Sequence, residues 1–200
     1  MPRNRRRTLA RLLAVSALAV PAAAYATVAG DFPGDPGLLA APLFGHVRLD
    51  AGEAPYPAAG VPHACLRGTG VEIMADSDNV LRRGLTDKHV DTALLSDVVD
   101  LRATAPSVVR PAPAAVAGEQ RYGCPAAEFA LSRVDAGAEA VCLTAAGPQV
   151  LLCLAGRARL DAGPALTAGA AALVPVGSPC RVSGEGAVLH RARVPLGGSS

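Results

Sequence analysis

His63, Glu72, Asp78, Arg82 and Lys88 place an imidazole, two carboxylates and two cations in one short stretch of this chain, Gly52 to His89. The imidazole can bind a metal ion, act as a general base or serve as a polar residue at a barrel mouth. A carboxylate beside a metal-bound oxygen can shuttle a proton, because the cation acidifies the neighbouring C–H or O–H. Arg82 can steady a developing enediolate and Lys88 a phosphate. The same residue types also allow a plainer reading, in which Asp78, Arg82 and Lys88 form a surface ion network.

These side chains need elements to hold them. Gly60 lets the chain reverse without a Cβ penalty, and Pro62 sets φ just before His63. The alternation of Val71 and Ile73 predicts a half-buried strand with Glu72 on its opposite face. The expected arrangement is strand, tight turn, strand, with His63 and Glu72 on neighbouring strands of a small β-barrel and Arg82 and Lys88 in the loop that follows. Upstream, a Pro/Gly turn opens a short helix with Asp35 as N-cap and Pro36 at the first helical position. A short strand is expected at Val47 to Leu49. Asp91 to Val99 reads as a helix with an apolar stripe of Ala93, Leu94, Val98 and Val99. Thr104 to Gly118, rich in Pro, Ala and Val, reads as a linker or extended crossing segment. Beyond Arg121, about eight short strands separated by glycines indicate an antiparallel sandwich or barrel of the jelly-roll kind. His190 is the one histidine of this half and does not make a metal site. Three regions result: 1–30, 31–105 and 106–200.

Aromatic residues are scarce, with three Phe, three Tyr and no Trp, so the core must be built from Val, Leu and Ala. Nineteen basic residues face seventeen acidic ones, and Arg3, Arg5, Arg6, Arg7 and Arg11 all precede the body of the chain. Without them the remainder is slightly acidic, which leaves nucleic-acid binding no electrostatic basis. Five cysteines without a CxxC spacing read as reduced core thiols rather than a disulfide framework or zinc knuckle. The arginines lead into an uncharged run from Leu12 to Ala24, too short to span a bilayer, and Ala24-Tyr25-Ala26 has the form of a signal-peptidase site. An Ala/Leu-rich helix with its arginines in water accounts for the same residues.

The run GVPHACLRGTGVEIMADSDNVLRRGLTDKHVD resembles the signature region of type I mannose-6-phosphate isomerase, a zinc-dependent cupin family that interconverts mannose 6-phosphate and fructose 6-phosphate. Upstream, FPGDPGLLAAPLFGHVRLDAGEA resembles the segment that enters this region, and GPQVLLCLAGRARL resembles the family's C-terminal cupin half; the likeness covers Phe32 to Val194. It implies a mainly β fold of cupin or jelly-roll antiparallel barrels with a few short helices, zinc as cofactor and a sugar phosphate as ligand. His63 matches the zinc-binding histidine, Glu72 and Arg82 the active-site glutamate and arginine, Asp78 the aspartate of the SDN motif, and Lys88 the lysine near the phosphate. The implied reaction is aldose to ketose isomerisation, a proton moving between C2 and C1 through a cis-enediol. The chain also departs from the family. The other zinc ligands, a Gln-x-His pair and a glutamate, lie in the family's N-terminal half, and no Gln-x-His occurs here. Cys65 stands for the usual tyrosine, and Asp87 for the usual proline before Lys88. The resemblance therefore implies the C-terminal portion of such an enzyme, short of metal ligands and inactive if it stands alone. A non-catalytic cupin module that binds a sugar phosphate or a partner is the alternative. Phosphorylated sugars are cytosolic, which places the protein in the cytoplasm; export is the alternative if residues 1–26 are a signal peptide.

Overall fold

The computed structural model describes residues 22–76, 80–102, 105–144, 147–161 and 163–195. Within it the chain forms two compact units. The first comprises residues up to Asp50 with Pro55–Thr69 and Ser77–Val108, the second Ala51–Ala54, Gly70–Asp76 and Val109 onward.

The first unit carries little regular structure. Helix α1 (Ala22–Asp31) buries Val28. Ala24-Tyr25-Ala26 lies inside this helix, whereas Arg3 to Arg7 and most of the Leu12 to Ala24 run lie outside the described residues. The FPGDPG turn then feeds two short 3-10 helices, Pro36–Leu39 and Ala41–Leu43. As expected, Asp35 is the N-cap, its Oδ1 accepting from the Gly37 N–H at 2.6 Å. Helix α2 (Thr92–Val98) is capped by Asp91, which accepts from the N–H groups of Ala93 and Leu94. Its expected apolar stripe is not buried: Leu94 and Val98 are exposed, and only Leu95 and the C-cap Val99 are partly covered.

Several expected strands are absent among the described residues. Val47 to Leu49 is exposed and unpaired, and residues 61–76 form no strand. The expected alternation does survive, with Val71, Ile73 and Ala75 partly covered and Glu72, Met74 and Asp76 exposed. Side-chain period alone does not make a strand; backbone N–H and C=O groups need a neighbouring strand to pair with. The barrel expected around His63 and Glu72 is therefore not formed by these residues. A two-stranded pair, β1 (Ala54–Pro55) with β2 (Val108–Val109), does form.

The second unit is the antiparallel β structure expected of the jelly-roll class. It contains β3 (Pro111–Pro113), β4 (Glu119–Tyr122), β5 (Ala130–Ala136), β6 (Val141–Leu143), β7 (Gln149–Leu160), β8 (Leu166–Thr167), β9 (Ala171–Val174) and β10 (Cys180–Arg193). Thr104 to Gly118, expected as a linker or extended crossing segment, supplies β2 and β3. Where four short strands were expected, two long ones run: β7 joins Val150–Leu154 to Arg157–Leu160, and β10 joins Cys180–Val182 to the expected Ala187–Val194 strand, ending at Arg193.

Those two strands build the fold. One end of β10 pairs with β6 and the other with β5, while β7 pairs with β9 at its start and β8 at its end. Their mutual register slips between Glu185 and Leu189, so both strands bend and are shared by two layers. Glycine makes that bend possible. Gly156 has φ +68°, and a Cβ there would overlap the carbonyls of Gly186 and Glu185; one on Gly184 would overlap the Arg157 carbonyl. Between the layers lie Val134, Leu143, Leu151, Cys153, Ala158, Val182 and Leu189, all fully buried. Each large aliphatic side chain buried there contributes roughly 1.5–3 kcal/mol. Of the five free thiols only Cys153 and Cys180 are core residues; Cys65 and Cys142 are exposed, which corrects the expectation for them.

Candidate functional site

The first unit holds His63, Arg82 and Lys88, and the second holds Glu72. Asp78 lies outside the described residues.

The loop that carries both cations is fastened from beneath. Asp35 extends its capping role: besides Gly37, its carboxylate meets the backbone N–H groups of Leu85 and Thr86. These donors, Leu85 foremost and then Gly37, hold the Asp35 carboxyl below the usual carboxylate range. The loop is tight at this point. Gly84 has φ +120°, and a Cβ on it would sit 2.7 Å from Asp35 Oδ1. Leu85 itself has φ 55°, a left-handed conformation costly for a branched side chain, which the carboxylate clamp over-determines. Beside it the Arg83 guanidinium lies 5.3 Å from the Phe44 ring centroid, and burial pulls its pKa down.

Of the Arg82-Arg83 doublet, one arginine thus turns inward and the other faces water. Arg82 and Lys88 are exposed, and no ion pair among the described residues engages either. Asp78, the acid of the surface ion network that the residue types allow, lies outside the described residues. Arg82 and Lys88 remain available to an anion. Asp87, where a proline was expected, precedes Lys88, whose own N–H donates to Thr86 Oγ1 at 3.2 Å.

Sequence reasoning read Asp35 only as a helix cap and did not single out Arg83. Asp35 stands fifty residues from its second set of donors, so spacing carries no signal of the clamp. Replacing Asp35 with alanine should release the loop, raising hydrogen exchange at the Leu85 and Thr86 amides by roughly tenfold or more. Unchanged protection at both amides would mean that the clamp is not what holds Arg82 and Lys88 in place.

His63 lies in an exposed segment just after the Ala59-Gly60 turn. Its Nδ1 is 3.1 Å from the Val61 carbonyl oxygen, so a proton on Nδ1 is donated there and the Nε2 lone pair points elsewhere, as a metal ligand requires. A closed zinc site takes about four ligands. Among the described residues no three His, Cys, Asp or Glu side chains come together. The described residues therefore do not by themselves fit a zinc ion, and His63 belongs to no group of three such side chains among them. Glu72 is exposed on the alternating segment 71–76.

The second unit holds a different polar arrangement. His190 stacks on Tyr122, ring centroids 6.1 Å apart, and its Nδ1 is buried without a partner among the described residues. Burial first, then the charge of Arg133, lowers the His190 pKa, against the opposing pull of Asp135. Arg133 and Asp135 pair at 2.7 Å, and the Tyr122 hydroxyl donates to the Gly52 carbonyl at 3.0 Å. The unfolded chain then binds a proton to this histidine more readily than the native one. Stability should be full above the unfolded value of about 6.5 and decline as pH falls from there toward the folded pKa. Urea midpoints at pH 7.5 and pH 5 should differ less in His190→Phe, which keeps the stacked ring, than in the parent chain. An equal difference in the two would exclude His190 as the source.

Comparisons with known proteins agree on one kind of relative. Mannose-6-phosphate isomerase 2 of Arabidopsis thaliana is 35% identical over 171 residues, covering 82% of this chain and 38% of the relative. The mannose-6-phosphate isomerase of Escherichia coli strain K12 is 34% identical over 159 residues, covering 78% of this chain and 41% of the relative. The chain thus spans about two fifths of the curated relatives it matches. Among solved structures, the mannose 6-phosphate isomerase of Salmonella typhimurium bound to substrate and to zinc superposes with a TM-score of 0.73 at 29% identity, covering 98% of this chain and 51% of that one. No family model matches.

Proposed function

We propose that this chain, a homologue of the mannose-6-phosphate isomerases, supplies the C-terminal portion of such an enzyme, with the signature-bearing part of the catalytic cupin domain in residues 31–105 and a C-terminal cupin-like β domain in 106–200. Residues 1–30, Ala/Leu-rich in sequence, are a helix or a leader-like segment on this reading, and the described part of them, from Ala22, is helical. The observation that carries the reading is the 82–88 loop, clamped by Asp35 and presenting Arg82 and Lys88 to solvent with no ion pair among the described residues.

On this reading Lys88 binds the phosphate of a sugar phosphate as a mobile point charge, and Arg82 binds the oxygens that gain negative charge as the enediolate forms. Glu72 and Asp78 are the carboxylates of the proton transfer between C1 and C2. The solved relative is bound to both substrate and zinc, and a zinc ion can polarise substrate oxygens. Here His63 would be this chain's contribution to its coordination, with the other ligands supplied from outside the described residues. No helix among the described residues is long and apolar enough to cross a membrane. A cytoplasmic setting follows from the substrate chemistry, because phosphorylated sugars are made and kept there.

The test joins this chain in frame to the upstream portion of the Escherichia coli relative and measures formation of fructose 6-phosphate from mannose 6-phosphate with zinc present. Isomerase turnover that is lost in His63→Ala supports the proposal. A folded chimera that binds mannose 6-phosphate without turning it over would favour the non-catalytic cupin module instead.

A further inference from the structure

We infer that the C-terminal β unit carries a second anion site, built on Arg121, Arg191 and Arg193 and suited to a phosphate-sized dianion. The strand registers bring these residues to one face. Arg121 on β4 lies opposite Ser132 on β5, and Ser132 lies opposite Arg191 on β10, so the two arginines flank it in one row across three strands. Arg193, two residues further along β10, shares that face and lies opposite Gln149 on β7.

Arg191 is 2% exposed and fully engaged: Nε donates to Gln149 Oε1 at 2.6 Å, Nη1 to Glu119 Oε1 at 2.9 Å and Nη2 to the Thr144 carbonyl at 2.6 Å. Glu119 pairs with Arg191 and acts on Arg193 through space, and it also accepts from Ser132 Oγ at 2.5 Å. Among the described residues no other carboxylate pairs with these three guanidinium groups, which leaves a local excess of two positive charges. The cluster grades from the buried Arg191 through the half-buried Arg193 to the exposed Arg121, so its excess charge is reachable from solvent. Within it Gln149, 1% exposed, has an amide Nε2 buried without an acceptor among the described residues. A buried donor is seldom left unmet, and an anion or its bridging water would meet it. The closeness of the cations has an electrostatic trace: burial, then the charges of Arg191 and Arg121, pull the Arg193 guanidinium below its ordinary value.

This inference does not rest on the isomerase reading, and the experiment keeps the two apart. Inorganic phosphate is titrated calorimetrically into the full chain at low ionic strength, and into its Lys88→Ala, Arg121→Gln and Arg193→Gln variants. One saturable event is expected that survives Lys88→Ala and weakens about tenfold in each arginine variant, as loss of a charge-assisted contact requires. Arg121 is exposed, so its variant reports even if Arg193→Gln disturbs folding. Competition by fructose 6-phosphate in the Lys88→Ala background identifies the natural occupant as a phosphate ester, and its absence identifies it as the free ion. The inference is overturned if no saturable event occurs, if Lys88→Ala removes it, or if the Arg121→Gln chain binds phosphate as the parent does.

Discussion

Replacing Glu119 with alanine is expected to cost the chain about 3–5 kcal/mol, because it strands a buried guanidinium. Arg191 sits between the two β layers at 2% exposure, and its ion pair with Glu119 at 2.9 Å is almost wholly removed from water. Little solvent remains to screen the charge once its partner is gone, and Ser132 Oγ loses its acceptor in the same substitution. The double variant Glu119→Leu with Arg191→Met should recover much of the loss, since an apolar pair of similar volume carries no desolvation penalty. Urea denaturation followed by circular dichroism measures both. A single variant losing under about 1 kcal/mol, or a double variant no better than the single, would show that the pair is not what its burial implies. The pair holds strands together across long sequence distance: β4 donates the acid, β10 the base and β7 the glutamine.

The second large effect concerns the clamped loop, measured in the chimera that joins this chain to the upstream portion of the Escherichia coli relative. Arg82→Ala should lower kcat by about 10²–10³-fold, the usual cost of removing one donor aimed at charge that appears only in the transition state. Lys88→Ala should act differently. A phosphate remote from the reacting carbons is held alike in ground and transition states, so its loss should raise KM by about tenfold or more with kcat less affected. This split separates the two cations. If both variants changed only KM, Arg82 would be a second phosphate contact and the enediolate would be stabilised elsewhere. If neither changed either constant, the loop would not line the active site at all. Asp35 supplies the link from fold to function here, because the N–H groups it binds belong to the residues between Arg82 and Lys88.

Local structure was legible wherever the governing interaction spans a few residues. The Asp35 and Asp91 caps, the helix at Thr92–Val98 and the Gly60 turn each depend on side chain and backbone within one turn of chain. The succession of short apolar runs punctuated by glycine likewise announced an antiparallel β unit. It did not announce that Gly156 and Gly184 are crossing points inside two long strands rather than turns between four short ones. A glycine at a bend and a glycine at a reversal leave the same mark in sequence, and only the partner backbone at Gly186 and Arg157 distinguishes them.

By itself, then, the sequence determined the class of the second unit, the caps, and the family signature from His63 to Lys88, because each is written in residue type and near-neighbour spacing. Tertiary structure alone decided which arginine of the Arg82-Arg83 doublet faces water, that Asp35 clamps a loop fifty residues away, and that Arg191 meets Glu119 across seventy-two residues of chain. It also decided that Val71 to Ala75 keeps the alternation of a strand without becoming one. The physical reason is common to all four. Hydrogen bonds and burial are satisfied by whichever groups the fold brings near, and that proximity is a property of the whole chain rather than of any stretch of it.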